Sequence, residues 1–391
     1  MTSISQLEKW WLDPDNQAFF KANKNQDVAK LLFKYQNQEQ KRLIIEQIAK
    51  RQKIRKKLPQ WCENQEVLMP PSLNLEQASS EATARLKATL FSGARLADLT
   101  GGFGVDCFYL GQNFKQVHYN EPDAALQELV AYNYKVLDFK ATFTGLPAEK
   151  LLASLPKQSL IYLDPSRRNA QQQRLISIED YSPDVRNLEE DLVEKAALTV
   201  VKVSPMASIA ELLKKLTYVK TVSVISVKNE CKEVLLTLSN SYQNLSYKTY
   251  NIIDSEGTIQ FFEGTPKAAA FEFSEPQDYI FEPNASVLKA GLVNDLSRHF
   301  QLPKLHANTQ LLTGSVIPEK FPGKVFKVNA LHKPFTKSLA KKRYNVIARN
   351  FPANASEIEK KLNLKPSNRQ YLLAFSSVEG KHFATAEWIK A

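Results

Sequence analysis

The first sixty residues carry apolar side chains at three- and four-residue spacing: Val28, Leu31, Leu32 and Tyr35, then Leu43, Ile44, Ile48 and Ile54. That period is helical, so residues 4–57 are expected to form a small helical module. The basic run from Lys50 to Lys57, Pro59, and the proline-bearing stretch Met69 to Ser72 end it and begin a linker. From about residue 82 the pattern changes. Short apolar runs at 95–98, 116–120, 141–144, 159–163 and 198–203 alternate with helical segments, as in a parallel sheet wrapped by helices. Two further runs, 220–227 and 232–238, are joined only by about Lys228 to Cys231. That link is too short for a parallel crossover, which makes the pair an antiparallel hairpin.

Beyond residue 240 the texture is β-rich. Strands are expected at 247–253, 258–262, 270–273 and 279–281, a helix at 285–300, strands at 324–331 and 344–349, a helix at 354–363, and strands near 371–376 and 382–387. This is an α+β region of two small modules with a boundary near residue 320. Internal repeats and low-complexity tracts are absent from the sequence.

At 391 residues and 43% hydrophobic content the chain can fill several cores. No run approaches the ~18 consecutive apolar residues of a membrane span, and the N-terminal residues lack the layout of a signal peptide. A cytoplasmic protein with no membrane partner is the expectation. Cys62, Cys107 and Cys231 lie far apart and the five histidines are scattered, so no metal site is expected from sequence-local ligands.

The net charge of +11 is unevenly spread. Residues 1–60 carry 13 basic and 6 acidic side chains, residues 61–319 carry 24 and 31, and residues 320–391 carry 15 and 4. An acidic centre between two basic ends suggests that the ends attract a polyanion, unless their lysines only keep the surface solvated.

Three motifs carry candidate chemistry. In Asp98-Leu99-Thr100-Gly101-Gly102-Phe103-Gly104-Val105-Asp106 an apolar strand runs into a glycine turn that opens a helix, letting the backbone approach a ligand closely. The spacing is not the GxGxxG of dinucleotide binding. An acidic residue at the strand end would repel a pyrophosphate but can accept from an ammonium, which favours S-adenosylmethionine (SAM) over NAD. The other possibility is an unliganded tight turn. About twenty residues on, the next strand ends in Glu121-Pro122-Asp123, where a carboxylate can accept from both ribose hydroxyls. Glu121 is the candidate, with Asp123 as a possible helix cap and the helix bearing Asn133 packed behind the ribose.

The third motif, Asp164-Pro165-Ser166-Arg167-Arg168, ends the fourth strand, where substrates lie in sheets of this topology. It matches in part the (D/N)PP(Y/F) motif of amino-group methyltransferases. Ser166 replaces a proline, and the arginines replace the aromatic. Arg167 and Arg168 could stack on a base or hold phosphate, or pair with Glu179, Asp180 or Asp184. Val203 to Met206, ending the fifth strand, either lines the pocket or only turns the chain. With no cysteine beside the Asp-Pro turn, covalent catalysis is disfavoured.

Together these stretches resemble the bacterial class I SAM-dependent methyltransferases with ferredoxin-like and THUMP-like C-terminal domains. The resemblance rests on Asn74 to Ala84, DLTGGFGVD (98–106), LDPSRR (163–168), KVSPM (202–206), NECKEVLL (229–236), FEPNASVLKAGL (281–292) and ARNFP (348–352). It implies an α/β fold: a Rossmann-like seven-stranded methyltransferase sheet with an N-terminal helical module and an α+β C-terminal region. The terminal hairpin fits that sheet better than an all-parallel dehydrogenase sheet.

The resemblance also implies that Glu76, Gln77, Ser79, Ser80 and Thr83 close over the cofactor. With Asp98, Thr100, Gly101, Gly102, Phe103, Gly104, Asp106, Glu121 and Leu146 they form the expected SAM site. Asp164, Pro165, Ser166, Arg167 and Arg168 form the expected acceptor site. The third strand ends in Thr144 to Ala148 without an acidic residue for the adenine amino group, so adenine recognition is expected from backbone or elsewhere.

The expected division is a helical module at 1–60, the SAM-binding domain at 61–240, a β-rich extension at 241–276, a ferredoxin-like module at 277–320 and a THUMP-like module at 321–391. THUMP domains of other enzymes bind tRNA, which makes RNA (tRNA or rRNA) the expected partner. The cluster of Lys337, Lys341, Lys342 and Arg343 near Phe335 and Tyr344 supports it. The rivals are a methyltransferase for a small molecule or protein, and a non-catalytic RNA-binding protein that keeps the fold.

Overall fold

A computed structural model describes residues 4–166, 179, 181–241, 244–266 and 272–389. The chain divides into two compact units, one of residues 1–219 and 236–242, the other of residues 220–235 and 243–391.

The first unit begins with helices α1 (Ile4–Trp11), α2 (Pro14–Asn23), α3 (Val28–Lys34) and α4 (Glu39–Ile54). Asp13 caps α2 by accepting from the Asp15 and Asn16 backbone, and Asp27 caps α3 from Lys30. These acceptors satisfy helix-end N–H groups that have no partner within the helix. The apolar stripe of α4 buries Ile44, Ile45, Ile48 and Ile54. Arg51 from the same helix is also buried, 5% exposed, and donates to Gln47 Oε1 (3.1 Å), to the Gln65 carbonyl (3.2 Å) and to the Val67 carbonyl. Its guanidinium lies over Trp11 and Phe20, 5.1 and 4.9 Å from the ring centres.

Short helices α5 (Pro59–Glu63) and α6 (Ser72–Gln77) and the longer α7 (Glu81–Leu90) lead into the sheet. Strands β1 (Gly93–Asp98), β2 (Phe114–Asn120), β3 (Thr142–Thr144), β4 (Gln158–Leu163) and β5 (Ala196–Val203) alternate with α8 (Val105–Gly111), α9 (Ala124–Val136), α10 (Ala148–Ser154) and α11 (Val185–Lys195), and α12 (Ile209–Lys215) follows. The strand order is β3-β2-β1-β4-β5, every pair parallel. The order therefore reverses beside β1, between β2 and β4, and in open sheets of this kind ligands bind at the carboxyl ends of the strands around that point. Strands β4 and β5 are buried along most of their length and read as near-continuous apolar runs, as central parallel strands do.

Strands β6 (Val219–Val227) and β7 (Glu230–Leu238) form the hairpin expected from the short connection, and β7 belongs partly to each unit. The turn is Lys228-Asn229, both at positive φ (51° and 64°), the backbone that matches the twist of a two-residue hairpin. Seven strands are as expected. Two more, β8 (Ser246–Ile252), parallel to β6, and β9 (Ile259–Gly264), antiparallel to β8, continue the order in the second unit.

The rest of the second unit is a six-stranded sheet in the order β11-β10-β12-β15-β14-β13, made of β10 (Tyr279–Pro283), β11 (Leu312–Gly314), β12 (Gly323–His332), β13 (Asn345–Arg349), β14 (Gln370–Ser376) and β15 (Lys381–Ile389). Strands from both sides of residue 320 pair in it. Successive residues of β14 alternate between its faces: Leu373 and Phe375 pack with Ile280 and Phe326, while Leu372 and Ala374 pack with Ile358 and Leu362 of α15 (Ala355–Leu362). The helix expected over 285–300 is two helices, α13 (Ala285–Ala290) and α14 (Val293–Phe300), because Gly291 between them takes a left-handed φ of 71°.

Candidate cofactor site

The carboxyl ends of β1, β2, β3 and β4 converge on the glycine turn. At Gly101 an added Cβ would lie 2.1 Å from the Tyr119 ring, so the turn sits directly on β2. Two tyrosine hydroxyls pin it: Tyr119 donates to the Gly102 carbonyl (2.5 Å) and Tyr134 to the Gly104 carbonyl (2.7 Å). Gly102 has a left-handed φ of 54°, and a Cβ there would meet nothing closer than the Thr100 carbonyl at 3.9 Å. Its exposed face is open space, the kind of cradle a ligand can approach and a side chain would fill.

Glu121 follows β2. One carboxylate oxygen accepts from the Gly102 N–H (3.0 Å) and the other from the Asp123 N–H (2.9 Å). Burial pushes its carboxyl above the usual range. Asp123 caps α9, as anticipated. Asn133 is committed elsewhere: its amide donates to the Leu68 carbonyl and accepts the Leu68 N–H, which anchors the linker. One buried amide ties three strand ends together. Asn120 Nδ2 donates to the carbonyls of Leu99 (3.0 Å) and Leu146 (2.9 Å), and its Oδ1 accepts from Leu146 N–H (3.0 Å) and Thr144 Oγ1 (2.9 Å). The Leu146 side chain is 40% exposed beside them.

Beneath the turn lies a buried charge cluster. Asp106 on α8 meets Lys87 of α7 at 2.8 Å and Lys202 of β5 at 3.3 Å, and accepts from Ser79 Oγ and Tyr162 OH, both at 2.7 Å. Burial alone would raise the Asp106 carboxyl, but the two ammonium groups outweigh it and hold it well below the usual range. Lys202 also reaches Ser79 Oγ at 3.0 Å and Asp164 Oδ2 at 2.6 Å. The Asp164 N–H donates to Thr100 Oγ1 (2.6 Å), and the Thr100 N–H donates to Asp98 Oδ1 (3.0 Å). Asp98 is 1% exposed. Its burial, with Asp106 and Asp164 nearby and opposed by the Thr100 N–H and Lys202, pushes its carboxyl well above the usual range.

The structure thus brings Asp98, Thr100, Gly101, Gly102, Gly104, Glu121, Leu146 and Asp164 to one edge. Asp106 sits below that edge, and the Phe103 ring turns inward against Trp61 at 5.0 Å, leaving its backbone at the turn. Ser80 caps α7 by accepting from Thr83 N–H. Glu76 and Gln77 end α6 on the surface, where Glu76 pairs with Lys53 at 2.7 Å. Pro165 is buried and Ser166 bridges Ser182 through paired backbone hydrogen bonds of 2.8 and 3.1 Å. Arg167, Arg168 and Asp180 lie outside the described residues, as do residues 270 and 271 of the strand expected at 270–273, of which Phe273 forms only an isolated bridge with Lys304. Glu179 and Asp184 are held by Arg186, and Glu179 also by Lys215.

Sequence reasoning passed over Lys87, Lys202, Tyr162 and Asn120. The one legible signal was a lysine inside the apolar run of β5, where a charge needs a partner. No group of three or more His, Cys, Asp or Glu arranged to hold a metal occurs among the described residues, and no described helix is long and apolar enough to cross a membrane.

In the second unit Lys337, Lys341, Lys342 and Arg343 are exposed. The backbone of Lys342 and Tyr344 bonds to Lys365, which sets this run beside Lys365 and the end of α15, where Lys360 and Lys361 are also exposed.

Residues 279–322 match a family of ferredoxin-like domains. The chain is similar in structure to a "putative methyltransferase" from Porphyromonas gingivalis W83, with a TM-score of 0.83 and 24% identity over 96% of this chain and 98% of that one. A "putative class I S-adenosylmethionine-dependent methyltransferase" from Listeria monocytogenes is 14% identical over 63% of this chain and 92% of its own, at a TM-score of 0.37. An rRNA methylase from Streptococcus thermophilus is 12% identical over 40% and 93%, at 0.31. No curated protein matches in sequence. The first likeness spans nearly the whole chain and shows the fold, a methyltransferase fold joined to a ferredoxin-like domain. At such low TM-scores the other two add nothing to it.

Proposed function

We propose that the chain is a SAM-dependent methyltransferase and that its substrate is RNA. The observation that carries the first half is the open face of Gly102, whose N–H is held by Glu121 at the end of β2, with the Asp98 carboxyl buried at the end of the adjacent β1. A buried carboxylate at the first strand end suits an ammonium, and a carboxylate at the second suits vicinal hydroxyls. SAM carries both and supplies an electrophilic methyl group. In this reading the backbone at Gly101 and Gly102 seats the ligand, and Leu146 offers it an apolar edge. Asp164 accepts from the acceptor group and orients its lone pair for direct displacement, so that positioning supplies most of the rate.

The RNA half rests on the second unit. Exposed lysines and arginines of residues 333–365 suit a phosphate backbone, while Phe335 and Tyr344 between them pack inward and hold the run to the core. Residues 321–391 are read as the THUMP-like module.

Calorimetry with SAM and NAD tests the first half. Micromolar SAM binding is expected, no NAD binding, and loss of SAM binding in Gly102→Val. Transfer of tritiated methyl groups from SAM to RNA from cells lacking the gene, followed by mass spectrometry of its nucleosides, tests the second. A folded protein that binds no SAM with or without RNA sinks the whole reading. One that binds SAM and leaves RNA unmethylated sinks the RNA half.

A further inference from the structure

Burying an ammonium in a β-strand whose neighbours Val200, Val201 and Val203 are all buried is costly, and a leucine or methionine would fill the same space. Lys202 is nevertheless there, 8% exposed. Asp106 does not account for it. Lys87 already meets that carboxylate at 2.8 Å, whereas Lys202 stands 3.3 Å from it and 2.6 Å from Asp164. The Lys87 ammonium lies against Asp106 and Ser79.

The Asp164 main chain is fixed by the bond from its N–H to Thr100 and by the following Pro165. Its side chain is 29% exposed, so one carboxylate oxygen is anchored inward on Lys202 while the group still reaches the open edge.

We propose that Lys202 is a positioning residue: its ammonium fixes the Asp164 carboxylate in the orientation that meets the acceptor, and braces it against α8 through Asp106. This rests on the reading that Asp164 faces the acceptor. Lys87, in contrast, serves the fold by neutralising Asp106. Two lysines in one buried cluster therefore have separable roles, although both partner the same aspartate.

The test compares Lys202→Met, Asp164→Asn, the double variant and Lys87→Met by thermal unfolding, calorimetric SAM affinity and single-turnover methyl transfer to RNA from cells lacking the gene. Lys202→Met and Asp164→Asn are each expected to slow transfer on the order of thirtyfold to a hundredfold, as misplacement of a positioned group does, with SAM affinity within about threefold. If Lys202 acts through Asp164, the double variant is no slower than Asp164→Asn. Lys87→Met, compared for stability alone, should lower the unfolding temperature. Multiplicative losses in the double variant overturn the proposal.

Nitrogen-15 spectra of the lysine ammonium groups give a second readout that needs neither catalysis nor a folded Lys202 variant. Asp164→Asn should shift the Lys202 resonance and spare that of Lys87, and equal shifts or none overturn the proposal. Should the parent protein transfer no methyl to RNA, the RNA reading fails and the spectra alone decide the role of Lys202.

Discussion

The two basic ends of the chain look alike in sequence and differ in what their cations do. In the N-terminal segment Arg51 is buried and bonded to backbone carbonyls, Lys50 pairs with Glu46, Lys53 pairs with Glu76, and Lys57 Nζ donates to the carbonyls of Leu75 and Glu76. Apart from the Lys50–Glu46 pair within α4, these charges hold the helical module to the stretch that leads into the sheet. In the C-terminal segment Lys333, Lys337, Lys341, Lys342 and Arg343 are exposed, and none has an ion pair among the described residues. Lys361 lies 3.9 Å over the Phe335 ring. A polyanion can therefore be met by the second group with little rearrangement, whereas meeting it with the first would break internal contacts. For these four residues, charge alone overstates the surface open to RNA.

The largest expected effect is on stability at the N-terminal end. Arg51→Met deletes the donor to the Gln65 and Val67 carbonyls and to Gln47, and stranded buried acceptors cost about 1–3 kcal/mol each. The cation–π contacts with Trp11 and Phe20 add about 1 kcal/mol. Some of this is regained as methionine refills the space, leaving a net loss of about 4 kcal/mol and, at roughly 2–4 °C per kcal/mol, a drop on the order of 10 °C in unfolding temperature. Calorimetric melting checks it. A change under about 2 °C would mean that Arg51 is not structural, and the contrast between the two ends would collapse.

How much of this was legible follows from how local each feature is. Strand positions were legible because each apolar run carries its own period, and the β6–β7 hairpin because its connection is too short for any alternative. The sheet's extension by β8 was not, since parallel pairing with β6 depends on partners that no local pattern specifies. The split at Gly291 was hidden because an isolated glycine is tolerated inside a helical period. In the site, Asp98, Gly102, Glu121 and Asp164 were legible because each ends a strand. Lys87 and Asn120 were not, and Lys202 showed only as a charge within an apolar run, because their roles depend on groups far away in sequence: Lys202 lies 96 positions from Asp106 and 123 from Ser79. The same non-locality concealed the difference between the basic ends, since Arg51 and Lys337 look equivalent until burial is known.

The next effect is on RNA affinity at the other end. Changing Lys337, Lys341, Lys342 and Arg343 together to Ala removes up to four phosphate contacts. Each is worth close to one unit of salt slope, so the slope should flatten by about three units and affinity near physiological salt should fall on the order of a hundredfold. Filter binding across a salt series measures both. Melting temperature and SAM affinity should stay near the parent values, because exposed side chains without ion pairs contribute little to folding. An unchanged slope would make this face a solvated one and leave the RNA surface to be found elsewhere.

The smallest expected effect refines the contrast at a single residue. Lys53 is as basic as Lys341 but meets Glu76 at 2.7 Å, with both side chains more than half exposed. An exposed pair of that kind is worth about 0.5 kcal/mol, so Lys53→Ala should lower the unfolding temperature by no more than about 2 °C. Because its charge is already offset by a carboxylate, its loss should leave RNA affinity within about twofold of the parent, whereas Lys341→Ala alone should weaken binding by roughly fourfold and flatten the slope by about one unit. Measured side by side in the same salt series, the two substitutions separate a cation committed to its own chain from one left for a partner. Equal losses of RNA affinity would show that the Glu76 pair opens on binding and that both ends of the chain contact the polyanion.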